Sequence, residues 1–171
     1  MNKKVNLVII AVVLLLSSCI NLDNQKKDVD ATITSFYSKP TQDHNKVDTT
    51  LLTKGLVVLL NKAIEKEYNS AEAMTRGDVP PGKPDLIEGD IFTSLYEGSS
   101  GPVRIDKLDF QGDSAIATVS FTNNLQKVAG WKDKIVLKKE GNWKIDNVIF
   151  MGEQPAGTST RQVLKAFASR P

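Results

Sequence analysis

The chain has 171 residues, 22 of them basic and 20 acidic, with one histidine and a formal charge of +2. Such a balance gives no cationic field of the kind that holds nucleic acid. A single cysteine excludes a disulfide framework within a monomer, and the length suits one hydrophobic core.

Lys3 and Lys4 open the chain, and Leu7 to Leu16 is an unbroken apolar run of ten residues. A bilayer needs roughly 20 apolar residues, so the run suits an export signal better than a span. It ends in Leu16-Ser17-Ser18-Cys19, which resembles a lipobox. The expectation is a lipoprotein signal peptide over 1–18, cleaved after Ser18, with diacylglyceryl and palmitate chains on Cys19. Removing the signal lowers the basic residues from 22 to 20, against 20 acidic, and leaves the mature chain neutral. Attachment to a membrane is then expected through the acyl chains, at about 0.8 kcal/mol per buried methylene. Residues 19–27 read as the lipidated cysteine and a short polar tether, and 28–171 as a single globular domain.

Val29, Ile33, Phe36 and Tyr37 fall on one helical face, so a helix is expected from Asp28 to Tyr37, ending before Lys39-Pro40. A polar link with His44 follows. Leu52, Leu56, Leu59, Leu60, Ala63, Ile64 and Tyr68 make a second apolar stripe, which Gly55 could divide. From Thr75 to Pro102 the composition turns to glycine, proline and acids, an irregular crossing anchored by Ile91, Phe92 and Leu95. Four strand-like runs follow: Val103 to Phe110, Ser114 to Thr122, Trp131 to Lys139 and Trp143 to Phe150. Short glycine-containing turns between the first and last pairs predict an antiparallel meander. Trp143 and Ile145 share one parity and Val148 and Phe150 the other, which requires a bulge near Asp146-Asn147. Thr158 to Ser169 carries a small apolar helical face.

The expected class is therefore α+β, with N-terminal helices packed on a curved four-stranded antiparallel sheet and a short C-terminal helix. This order of elements resembles the cystatin-like roll, also used by nuclear transport factor two-like domains. Gly89-Asp90-Ile91-Phe92, Trp131-Lys132-Asp133-Lys134-Ile135 and Glu140-Gly141-Asn142-Trp143-Lys144-Ile145-Asp146-Asn147-Val148, with the lipobox and the C-terminal segment, resemble the YbjP-like family of small envelope lipoproteins. Ile91 stands where that pattern has proline. The resemblance implies an outer-membrane lipoprotein facing the periplasm of a Gram-negative cell, and it brings no catalytic residue. Ile20, after the cysteine, also lacks the aspartate associated with inner-membrane retention.

Catalytic inventory is thin. His44 lies between Asp43 and Asn45 and reads as a solvated loop residue. No Gly-x-Ser-x-Gly or Gly-Lys-Ser/Thr motif occurs. Asp133 and Asp146 lie on neighbouring predicted strands and could face each other, although adjacent lysines make solvated ion pairs the plainer expectation. Trp131 and Trp143, with Phe92, are candidates for a pocket or partner surface, against a plain packing role. The acidic loop with Asp85, Glu88 and Asp90 lacks EF-hand spacing, and Asp90 is expected to cap a helical turn that inserts Phe92. No metal, cofactor or enzymatic activity is expected. The leading expectation is a periplasmic domain that docks onto another envelope protein. The alternatives are a small-ligand carrier or weak enzyme with a pocket between helix and sheet, and an immunity protein against a periplasmic toxin.

Overall fold

The computed structural model describes residues 22–78, 82–99, 101–123, 128–152 and 157–170; the expected signal, its cleavage point and Cys19 lie outside them. Helix α1 covers 22–37. It buries Val29, Ile33 and Phe36, as the periodicity requires. Residues 22–27, expected as a tether, are already helical. No glycine or proline interrupts them, so the helix propagates outward past its buried stripe.

Asp48 caps a 3-10 turn over Thr49–Leu51, accepting from the Thr50 N–H at 3.0 Å. The chain then extends: Leu52 bridges Ile145 in parallel, and the Thr53 N–H donates to the Ile145 carbonyl at 2.9 Å. Thr53 also caps helix α2, Lys54–Arg76. The break before this helix is thus at Thr53 and not at Gly55. Its buried face is Leu56, Leu60, Ala63 and Glu67. Tyr68, placed by the sequence on the apolar stripe, is 67% exposed. Spacings of four, three and four residues carry the face to position 67, where the helix turns a glutamate inward.

Strands β1 (Arg104–Gln111), β2 (Ser114–Asn123), β3 (Val128–Glu140) and β4 (Asn142–Phe150) form one antiparallel sheet in the order β1-β2-β3-β4. Val136 pairs with Asn147 and Leu137 with Ile145, which leaves Asp146 as the extra residue of the expected bulge. The two sheet edges differ. Leu52 to Thr53 and Thr158 to Ser159 both bond to β4, the latter through the Phe150 N–H at 3.0 Å. Strand β1 pairs only with β2 among the described residues; a second bulge falls at Asp106, and Arg104, Asp106, Lys107 and Asp109 are exposed along it.

Helix α3, Thr160–Ala168, is capped by Ser159 and buries Val163, Leu164 and Phe167. The α+β architecture is therefore the one expected, with helices packed on an antiparallel sheet and a short helix closing the chain. Helix α1 passes the β3–β4 turn in its second half and α2 starts beside it: the Thr32 hydroxyl donates to the Trp143 carbonyl at 3.2 Å, and the Lys54 N–H donates to Glu140 at 3.0 Å. Both run toward the opposite end, where Tyr37 packs on Phe121, 4.9 Å between ring centres. The two ends of the sheet are called here the turn end and the far end.

Candidate functional site

The two tryptophans do not share a site. Trp143 pairs with Lys139 across β3–β4, and Trp131 lies eight residues farther along β3. At about 3.3 Å per residue the two are roughly 26 Å apart. Trp131 stacks on Phe121 at the far end, with ring centres 5.5 Å apart, while Trp143 meets the edge of Phe110 at 5.6 Å at the turn end. Asp133 and Asp146 do not face each other either. Asp133 pairs with Phe150, four residues along β3 from Leu137, the partner of Ile145.

Asp133 is fully buried, where a solvated ion pair was expected. Its neighbour Lys132 pairs instead with Asp106 at 2.7 Å. The Asp133 carboxylate accepts from the Ser94 N–H at 2.8 Å, from the Ser94 hydroxyl, and from the Met151 N–H at 2.9 Å. Burial pushes its pKa up, against the pull of these donors. Asp90 is buried as well. It accepts from the Phe92 N–H at 2.7 Å and from the Thr41 hydroxyl at 2.5 Å. Burial raises its pKa to about 6 despite those two donors, and the Asp133 charge adds to the rise. The segment it caps, residues 91–95, is a series of bends and not the helical turn expected. Phe92 is nevertheless driven into the core against Phe36, 5.0 Å between ring centres. Tyr37 donates from its hydroxyl to the Phe92 carbonyl at 2.7 Å; burial, then Asp90 and Asp133, hold its phenol well above the usual range.

His44, expected in solvent, is buried against Glu67, 2.8 Å between Nε2 and Oε2. The other oxygen of Glu67 accepts from the Ile87 N–H at 2.6 Å. This one glutamate therefore ties both the 38–48 link and the 82–90 segment to α2. The acidic loop holds no metal cluster: Asp85 pairs with Arg170 at 3.0 Å, Glu88 pairs with Lys83, and Asp90 is engaged as above. No group of three potential metal-ligating side chains occurs among the described residues.

At the middle of β4, Asp146 joins three elements. It accepts from the Thr53 hydroxyl at 2.8 Å and pairs with Arg161 of α3 and with Lys138 at 3.1 Å. Burial opposes its charge, but Thr53, Arg161 and Lys138 outweigh that and keep its pKa below the ordinary range. The bulge is what turns this carboxylate toward the edge of the sheet, away from Asp133.

The turn end is organised differently. Asp28, Ala31, Thr32, Leu51, Lys139, Asn142, Trp143 and Lys144 surround a cleft of about 300 Å³. Lys144 donates to the Thr50 carbonyl. The side chains of Asp28 and Asn142 make no hydrogen bond or ion pair among the described residues, and Lys139 has only the face of Trp143, 6.0 Å from the ring centre. Trp143 itself is buried, and its indole N–H, like that of Trp131, lacks an acceptor among the described residues. Of these residues the sequence singled out Trp143 alone. Asp28 and Lys139 are 111 positions apart in the chain, and the docking of α1 on the β3–β4 turn is what brings them together.

Three exposed apolar side chains were also missed. Tyr68 on α2, with Leu86 and Tyr96 on the segment lying against it, leaves large side chains in solvent. That segment is tied down on both sides of Leu86, by Asp85 N–H to the Ser70 hydroxyl at 2.8 Å and by Ile87 N–H to Glu67. Gly89, at φ 76°, lets the Tyr96 ring lie over the backbone; a Cβ there would come within 2.6 Å of it. The stripe arithmetic that assigned Tyr68 to the core hid the first of them.

No protein-family model, no curated protein and no solved structure matches the chain.

Proposed function

We propose that the chain is a non-catalytic lipoprotein domain of the cell envelope, acylated at Cys19 and held at the periplasmic face of the outer membrane, that docks onto another envelope protein. The observation that carries this reading is the exposure of Tyr68, Leu86 and Tyr96 on α2 and on a segment that internal hydrogen bonds tie to it. Rigidly presented aromatic side chains are the residues on which protein contacts concentrate. Tyr68 lies away from the end where α1 begins: it is 14 residues along α2 from Lys54, about 21 Å at helical rise. A domain tethered at the start of α1 would hold it outward. The engagement of Asp90, Asp133 and Asp146 with the fold's own donors supports a binding role over acid–base chemistry. The lipobox and the resemblance to YbjP-like lipoproteins support the address.

The test places a photo-crosslinking amino acid at Tyr68, at Tyr96 and, as a control, at exposed Lys107 in intact cells. The expected result is one discrete protein adduct from the first two positions and none from the third. Equal labelling from all three, or none from any, would overturn the docking surface. Metabolic palmitate labelling checks the address separately, since Cys19→Ser is expected to abolish incorporation.

A further inference from the structure

The cleft at the turn end holds a carboxylate and an ammonium that are not paired with each other or with any other described charge. Asp28 stands on the α1 side and Lys139 on the sheet side, with the Asn142 amide next to the latter in the turn. A simple anion would meet Asp28, and a simple cation would meet Lys139. A ligand that carries both charges a few bonds apart satisfies both walls at once. Its size is also that of the smaller ligand sites in proteins, about 300 Å³. The buried indole of Trp143, in a residue that lines the cleft, stands where it would report a ligand's arrival.

The position of the cleft indicates where such a ligand comes from. Three Cα steps separate Cys19 from Leu22, at most about 11 Å. From Leu22 to Asp28 the helix rises about 9 Å, and apart from half-buried Gln25 these residues are exposed. On the reading that Cys19 is acylated, the cleft lies within roughly 20 Å of the anchor and within reach of the lipid headgroups. We propose that it binds the zwitterionic phosphoethanolamine headgroup of a membrane phospholipid, with the ammonium on Asp28 and the phosphate on Lys139 and Asn142. The headgroup would then fix how the domain stands on the membrane, a task that a flexible acyl linkage cannot perform.

The tryptophans supply an internally controlled experiment, one at the cleft and one at the far end. The acylated full-length protein in detergent micelles is titrated with dihexanoyl phosphatidylethanolamine while the two indole N–H resonances are followed. The Trp143 signal is expected to move saturably and the Trp131 signal to stay. Lys139→Gln and Asp28→Asn should each weaken the response roughly tenfold, the loss of one charge-assisted contact. No movement of Trp143, equal movement of both signals, or an equal response to dihexanoyl phosphatidylglycerol, which has no ammonium, would overturn the proposal. Soluble glycerophosphoethanolamine shares the chemistry, so nanodiscs distinguish the source. Trp143 should reach its bound position in phosphatidylethanolamine discs and not in phosphatidylglycerol discs; binding of the soluble compound with no bound position in either disc overturns the membrane source. The Cys19→Ser chain should bind the short-chain lipid as the wild type does, so a failure of acylation shows in its mass and leaves the cleft result intact.

Discussion

At the far end of the sheet, Asp90, Asp133 and Glu67 are each surrounded by donors that belong to the fold, whereas at the turn end Asp28 and Lys139 line one cleft without bonding to each other. Both ends contain a tryptophan and opposite charges. The difference lies in burial: a carboxylate removed from water must find donors within the protein, while one at a cleft mouth keeps its hydration until a ligand replaces it. Polar residues at the far end therefore shape the chain, and those at the turn end remain available.

The strongest way to break this comparison is Asp133→Ala. It would leave the Ser94 N–H, the Ser94 hydroxyl and the Met151 N–H buried without an acceptor, and a loss of roughly 4 kcal/mol is expected in urea unfolding. A loss under about 1 kcal/mol would mean that the far end tolerates unpaired donors after all. Next is the pH response of Asp90. Its folded-state pKa of about 6 lies above the ordinary 3.8, so its contribution to stability is fully present below pH 3.8 and is lost as pH rises through 6. The change amounts to roughly 3 kcal/mol. Asp90→Asn is expected to flatten that decline in unfolding curves measured between pH 4 and 7; an unchanged slope would assign it to another group.

Arg161→Ala sharpens the middle case. It removes the partner of Asp146 on α3 and the donor to the Asp146 carbonyl at 2.7 Å, and about 2 kcal/mol should be lost. Because the Asp146 pKa is held low, its own contribution is present above the ordinary carboxylate range and lost as pH falls, opposite in sign to that of Asp90. The variant should therefore reduce stability less in acid than at neutral pH. Smallest of all is Lys139→Ala together with Asp28→Ala, where the melting curve should stay within about 0.5 kcal/mol of wild type. A large loss there would place both residues among the structural groups and remove the contrast between the two ends.

The strands were legible because their alternation is local, and the bulge at Asp146 was legible because parity changes within one strand. Residues 22–27 were not, since their one apolar side chain, Leu22, is exposed and a single position sets no periodicity for a helix that continues past its buried face. His44 reads as solvated until Glu67, 23 positions later on another element, is seen to turn inward. The same holds for Asp133, whose donors come from the crossing loop and from the chain leaving β4. What sequence patterns register is periodicity along one element. The placing of Asp28 and Lys139 on opposite walls of one cleft depends on how two elements dock, and no local pattern encodes it.

If the chain is lipid-anchored as proposed, the edge of β1, unpaired among the described residues, faces other copies in the plane of a membrane. Copies fixed to one membrane diffuse in two dimensions and meet at high local concentration, conditions under which an unprotected strand edge would seed lateral polymers. The bulge at Asp106 bends the edge, and the exposed charges of Arg104, Asp106, Lys107 and Asp109 would have to be desolvated by any copy that tried to add a strand. On that reading crowding at the membrane would be compatible with a monomer, and exposed Tyr68, Leu86 and Tyr96 would be left for a different kind of neighbour.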